Sequence, residues 1–463
     1  MKKTLLLLAF SLSIFFTTKT VAQEYNLNMF DQAVYYGMYE ATVSEPVPDG
    51  AIRNSNSSYG KKFTEEQLAS FGNTLTMTVT LHPLCDNYDR IGNVNLVFTE
   101  KGVTTYDYND VIRIEIGRFI TPFMDLRVTD PDSVPYVFEL DNLTGVFHNE
   151  EITSNYDIWV ELEVYGYQGG PGQGGAAEEI PICEGRNDVY MGSLDFTSTT
   201  DETVEEPNFL LPLEHKYELK NYTLEGTDVL GETVRTLSFT LEEHVTDATI
   251  HLITSNHGSN SGGEEYIRRW HYIYFDDELV ANYKPGGVSC VPFFEYNTQP
   301  SCIYYDCSTN PAYPRPDNDA AWSWNNWCPG DKIPNRVIEL GDLEAGEHSF
   351  KIDVPDAQFV GEQGYFPMSV YIQGQSATGG LALDAPAFEK ASFSVYPNPV
   401  ENIVTISAEG KEIALVNVVN TLGQTVLTGK NEKIDLSEMQ QGIYVIEVKF
   451  TDGTDAVNKI VKK

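Results

Sequence analysis

Apolar and polar residues alternate along Leu75–Leu81, Val94–Thr99, Val111–Ile116, Ile158–Val164, Thr236–Leu241, Thr249–Ile253 and Ser369–Ile372. A period of two sends successive side chains to opposite faces of an extended chain, so each run predicts a β-strand with one buried face. Clusters of Gly, Pro, Asn and Asp separate the runs and supply turns. Helical periodicity is scarce. Many short strands at this spacing predict an all-β chain of sandwiches or jelly rolls, with function carried on loops.

The run Tyr167-Gln168-Gly169-Gly170-Pro171-Gly172-Gln173-Gly174-Gly175-Ala176-Ala177 reads by composition as a hinge. It divides the body into a first domain over 24–167 and a second over 180–375, joined by a Gly-rich linker over 168–179. A second soft joint, Ser376-Ala377-Thr378-Gly379-Gly380, opens a linker over 376–391. A separate module then occupies 392–463. Its strands are expected at Ile403–Ser407, Ala414–Val419, Thr425–Leu427, Ile434–Leu436 and Gly442–Phe450, with a turn at Leu422-Gly423-Gln424. Asn398 stands between Pro397 and Pro399, which holds the lead-in extended.

Composition narrows the function. Among 463 residues, 68 are acidic and 30 are Lys or Arg, a formal net charge of −38. Phosphate binding needs clustered cations, so nucleic acid and anionic membrane surfaces are excluded as partners. Aromatic residues reach 12%, with 27 Tyr, which suits strands. Lys2 and Lys3, the apolar stretch Leu5–Phe16 and the small residues Thr20-Val21-Ala22 read as a signal peptide over 1–22, cut after Ala22. No later stretch reaches the ~18 apolar residues of a transmembrane helix. Export is therefore expected, and the six cysteines, Cys85, Cys183, Cys290, Cys302, Cys307 and Cys328, read as up to three disulfides.

Four constellations carry candidate chemistry. Cys85-Asp86-Asn87-Tyr88-Asp89-Arg90 crowds two carboxylates, an aromatic ring and a cation at a strand end. Arg90 beside Asp89 is expected to keep that carboxylate ionised, as a base or water-positioning group requires. Gly117-Arg118-Phe119-Ile120-Thr121-Pro122-Phe123 reads mainly as a buried strand end. Ser255-Asn256-His257-Gly258 leads into Gly262-Gly263-Glu264-Glu265-Tyr266, where paired carboxylates can raise one pKa. Trp322-Ser323-Trp324-Asn325-Asn326-Trp327-Cys328-Pro329-Gly330 offers indoles for stacking on sugar or for packing around a disulfide. His251, His257 and His271 lack the spacing of a metal site, so no metal or other cofactor is expected.

Taken in this order, the four constellations resemble the peptide-N-glycosidase F family, over about Asn28 to Gln375. The resemblance implies two eight-stranded jelly rolls side by side, with an active site in the groove between them. It also implies metal-free hydrolysis of the amide joining N-acetylglucosamine to asparagine. Residue by residue, it assigns the principal aspartate to Asp89 with Arg90 as its neighbour, and the second carboxylate to Glu265. Tyr88 stands where the family has a tryptophan, still able to flank a sugar, and Glu150 is the candidate for a supporting glutamate. Trp322, Trp324 and Trp327 are assigned to substrate binding, although Trp324 occupies a position where the family has an arginine. The cysteines that bracket the family's glutamate are Gly263 and Ile267 here. The resemblance further implies a Cys290–Cys328 bridge; Cys302 and Cys307 can close a local loop, leaving Cys85 with Cys183 across two domains. The module over 392–463, with its Tyr396-Pro397-Asn398-Pro399 start and basic end, resembles the type A C-terminal sorting domain of type IX secretion in Bacteroidetes-like bacteria.

The expectation is a monomeric amidase, secreted or attached to the cell surface, acting on N-glycosylated protein. Asp89 would polarise a water and Glu265 would orient water and sugar. A glycan-binding protein on the same scaffold is the alternative.

Overall fold

The computed structural model describes residues 24–463 apart from 110, 171–174, 202, 204–205, 260–261, 299–325, 380, 383–393, 409–411, 421–423 and 452–454. The expected signal peptide, Cys302 and Cys307, Trp322 and Trp324, most of the expected 376–391 linker and the turn residues Leu422 and Gly423 lie outside the described residues.

The first sandwich is built from β1 (Tyr25–Tyr36), β2 (Ala51–Ser55), β3 (Ser58–Lys62), β4 (Thr74–Pro83), β5 (Ile91–Glu100), β6 (Ile112–Ile120), β7 (Val134–Glu139), β8 (Tyr156–Val164) and β9 (Asp188–Thr199). The second uses β10 (Phe209–Leu219), β11 (Val234–Leu241), β12 (Val245–Thr254), β13 (His271–Phe275), β14 (Glu278–Tyr283), β15 (Lys332–Ile333), β16 (Arg336–Leu343), β17 (Gly346–Asp353) and β18 (Phe366–Ser376). One sheet of the first sandwich runs β1-β9-β4-β7, and the other runs β15-β6-β5-β8-β3-β2. The second sandwich has β10-β18-β12-β16 over β11-β17-β13-β14. With the β2–β3 hairpin taken as one step and β15 set aside, both show the same order: first, last, third and sixth strands in one sheet, the others facing them. That is the jelly-roll topology.

Alternation places the core as expected in β4, where Leu75, Met77, Val79 and Leu81 face inward and the threonines between them are half-buried. In β5 and β6 almost every residue is buried, polar ones included. The second jelly roll covers much of their outer face. Arg118 pairs with Glu115 (Nε–Oε1 2.7 Å, Nη2–Oε2 2.6 Å) and donates to Ser255 Oγ at 2.9 Å and the Pro367 carbonyl at 2.6 Å. Ser369 donates to Glu115, Lys216 pairs with Glu163, and His215 meets Asn95. β15 completes the junction by pairing with β6, Lys332 opposite Phe119 and Ile333 opposite Arg118.

Two expectations about domain limits are corrected. The first jelly roll does not stop at 167: β9 pairs with both β1 and β4 and closes the fold at Thr199. The glycine-rich segment is no free hinge at its described ends, because Gln168 and Ala176 are buried and Ala176 packs with Cys85, Ile180 and Cys183. Cys85 and Cys183 are bonded, with Cα atoms 5.5 Å apart, so this staple lies inside one jelly roll rather than across two domains. Cys290 and Cys328 are also bonded, with Cα atoms 5.3 Å apart.

The tail is a small sandwich. One sheet holds Ser394–Tyr396, Ile403–Ser407 and Lys433–Asp435, and the other holds Thr425–Gly429, Ile413–Asn420, Gly442–Phe450 and Asp455–Lys462. Val404, Ile406, Val416, Val418, Ile446 and Val448 are among the residues of its separate core.

Candidate active site

Asp86 organises the loop after β4. Its buried carboxylate accepts Arg90 Nε at 2.8 Å and the backbone amides of Tyr88 at 3.0 Å and Tyr167 at 2.6 Å. Thr121 fixes the residues on either side of Asp89: its hydroxyl donates to the Tyr88 carbonyl at 2.8 Å and accepts the Arg90 amide at 2.7 Å. Tyr190 donates to the same Tyr88 carbonyl at 2.8 Å. The threonine after the buried Phe119–Ile120 pair therefore positions Asp89, a role that the strand pattern did not reveal.

Glu265 comes from the second jelly roll. Its neighbour Glu264 is fully buried, bonded twice to Arg269 at 2.8 Å and accepting the Gln358 amide at 2.8 Å. Glu264 is thus a structural anchor, and the expected Glu264–Glu265 charge pair does not form the site. The Asn326 side-chain amide donates to the carbonyls of Glu264 at 2.7 Å, Glu265 at 2.8 Å and Ile267 at 3.3 Å. Asn326 therefore clamps the loop at Gly263–Ile267, where the family's bracketing cysteines are missing. The Gly258 amide donates to Glu265 Oε2 at 3.4 Å.

The Glu265 charge acts on Asp89. Burial pushes Asp89 well above the usual carboxylate range, the Glu265 charge pushes it further, and Arg90 only partly counters. Burial also raises Glu265, against the Gly258 amide and the Tyr266 hydroxyl. Tyr266 is hydrogen-bonded to Glu265 and is pushed up to about 12 by burial, then by the Glu265 and Asp89 charges. Arg90 acts on Asp89 in the expected direction, but its guanidinium is bonded to Asp86 and burial outweighs it. Tyr88 is 46% exposed beside the pair, with Arg90 5.2 Å from its ring centre.

Two assigned residues lie elsewhere. Trp327 is only 6% exposed; it packs with Ile120, Ile253 and Ile333, and its indole N–H is spent on the Asn256 carbonyl at 2.9 Å. It is a core residue, not a sugar platform. Glu150 is exposed at the first turn of the helix Glu150–Asn155, just before β8. The β5–β8 register runs from Gly92–Val164 near Asp89 to Glu100–Tyr156 near Glu150. At ~3.4 Å per residue those strand ends are roughly 27 Å apart, so Asp89 and Glu150 belong to opposite ends of the sheet. His251 and His271 are buried and His257 is half-buried, and desolvation holds His251, His257 and His271 down at about 4, 3 and 3 in that order. Among the described residues no three His, Cys, Asp or Glu side chains gather to hold a metal ion.

Fold and site together define a two-jelly-roll protein with a coupled carboxyl pair, one member from each domain. The chain belongs to the peptide-N-glycosidase F family: residues 26–167 match its N-terminal domain and residues 227–373 its C-terminal domain. Residues 394–463 match a secretion system C-terminal sorting domain. No curated protein matches the sequence. Among solved structures, PNGF-II in one crystal form is similar at 18% identity and TM-score 0.55, over 76% of this chain and 66% of that one. A second crystal form gives 17% and 0.53, over 76% and 65%. The chain thus spans just under two thirds of the length of these relatives. PNGase F, a glycosylasparaginase from Flavobacterium meningosepticum, aligns at 16% identity and TM-score 0.44, over 78% of this chain and 97% of its own.

Proposed function

We propose that the chain is an exported amidase that hydrolyses the bond between N-acetylglucosamine and asparagine in N-glycoproteins. The observation that carries this reading is the electrostatic coupling of Asp89 to Glu265, contributed by different jelly rolls. Burial raises both carboxyls, and the Glu265 charge favours a proton on Asp89, so the pair can supply one base and one acid at one place, with Glu265 assigned as the base and Asp89 as the acid. Glu265 takes a proton from water as the oxygen attacks the side-chain carbonyl carbon. Asp89 delivers its proton to the departing glycosyl nitrogen as the carbon–nitrogen bond breaks. The products are an aspartate-containing peptide and a 1-amino sugar, and proton transfer between the two carboxyls restores the pair. Tyr88 flanks the sugar. This exchanges the roles drawn from the sequence, because burial and the Glu265 charge favour the protonated form of Asp89.

The sorting domain supports export through type IX machinery, with release or surface attachment of a monomer. Incubation with a denatured N-glycosylated protein tests the activity: each released glycan leaves a one-unit mass gain as Asn becomes Asp. Glycan binding without that gain would instead assign the glycan-binding role.

A further inference from the structure

Tyr39 is 74% exposed, the highest value among the large hydrophobic side chains described. Its ring stands edge-on to Tyr167, with centres 5.3 Å apart. Tyr167 is tied to the site through its backbone: its amide donates to Asp86 at 2.6 Å and its carbonyl accepts from Arg90 at 3.3 Å. Asp86 and Arg90 belong to the loop that carries Asp89, so the Tyr39–Tyr167 pair is anchored to that loop.

The turn that displays Tyr39 is rigid. The buried Asn56 amide donates to the carbonyls of Gly37 at 3.0 Å, Glu40 at 3.3 Å and Ala41 at 3.1 Å, while its oxygen accepts the Val43 amide at 3.0 Å. The Gly37 amide reaches Asn187 O at 2.8 Å, and the Met38 amide reaches Gly166 O at 2.9 Å. Gln168, 6% exposed, donates to Glu40 at 3.0 Å, and its buried Oε1 has no partner. A Cβ on Gly37 would collide with that amide. So much hydrogen bonding spent to present one bare ring suits a preorganised contact surface rather than a loose loop tip.

The chemistry selects the ligand. An extended peptide docks on free backbone groups of a strand edge. The backbone of this turn is largely consumed, which leaves a ring face with the exposed Glu40 carboxylate beside it. A pyranose fits such a surface, its C–H face on the ring and its hydroxyls on the exposed Glu40 carboxylate, which Gln168 holds from beneath. We infer that Tyr39, backed by Tyr167, is a saccharide platform that holds the glycan arm of the substrate beyond the Asp89–Glu265 pair. Only the naming of that saccharide as the substrate's own glycan rests on the amidase reading.

The test is calorimetric titration of the full chain with a free branched N-glycan, with di-N-acetylchitobiose, and with a glycopeptide bearing only chitobiose. Tyr39→Ala is expected to weaken binding of the branched glycan about tenfold, to leave chitobiose unaffected, and to be rescued in Tyr39→Phe. Equal affinity of wild type and Tyr39→Ala for the branched glycan, or no binding by wild type, overturns the inference. Loss confined to the chitobiose glycopeptide reassigns the shelf to the peptide arm and overturns it too. Free glycans contain no scissile amide, so the result is independent of turnover. An inactive wild type whose glycan binding depends on Tyr39 defeats the amidase and keeps the platform.

Discussion

Arg90 Nε lies 2.8 Å from Asp86 Oδ2, and this pairing leaves the adjacent Asp89 to titrate against Glu265. A cation beside an aspartate in sequence need not neutralise it in space. Here the buried Asp86 takes the guanidinium and fastens the loop, and Asp89 keeps its raised pKa. The division of labour is structural for one carboxylate and chemical for the other.

Asp89→Asn should lower kcat by at least about 100-fold, the usual lower bound for losing an acid–base group. The same change should stabilise the protein at alkaline pH. An acid whose folded pKa exceeds its unfolded value costs stability as pH rises from the unfolded toward the folded pKa, and the full cost persists above it. Calorimetry should therefore show a larger Tm gain for the variant at pH 8 than at pH 4. Equal gains at both would remove the raised-pKa argument.

The pH profile of kcat/KM should be bell-shaped, rising as Glu265 ionises and falling as Asp89 loses its proton. Removing the Glu265 charge in Glu265→Gln should lower the Asp89 pKa, readable by carbon NMR of labelled aspartate. An Asp89 titration unmoved by that variant would separate the two groups and end the paired mechanism.

Arg90→Ala should cost about 3–5 kcal/mol, because the buried Asp86 charge loses its counterion. Urea unfolding of the single variant and of Asp86→Asn/Arg90→Ala checks this. The double variant should recover part of the loss, and identical losses would contradict the ion-pair account.

Asn326→Ala should leave three carbonyls of the Glu265 loop without their shared donor, costing about 1–3 kcal/mol. Exchange of the loop amides should quicken, and kcat should fall more than KM rises. Asn326→Asp should not rescue, since a carboxylate cannot donate. Rescue by Asp would show that volume, not the amide, matters.

Reduction of the Cys290–Cys328 bond should cost about 4 kcal/mol by loop entropy, given its sequence separation of 38. Activity should fall in parallel, because Cys328 lies two residues from Asn326. A thermal melt with and without reductant, read beside the Cys290→Ala/Cys328→Ala variant, decides it.

Alternation and turn chemistry were sufficient to define strands, since the period of two is a local property of the chain. Leu75–Leu81 and Val94–Thr99 fall inside β4 and β5 for that reason. The motifs around Asp89 and Glu265 were equally legible, because loops carrying chemistry keep unusual residues together. Domain limits were less so. A glycine-rich composition marks a flexible segment only if nothing packs on it, and β9 beyond that segment is drawn back between β1 and β4 to close the first sandwich. Trp327 shows the same limit, since an indole near a disulfide is written identically for a groove wall and for a core. Charge pairing was the least legible feature of all. Coulomb energy depends on distance and burial, not on neighbourhood in sequence, so only the folded chain could give Arg90 to Asp86, Arg269 to Glu264, and Glu265 to Asp89.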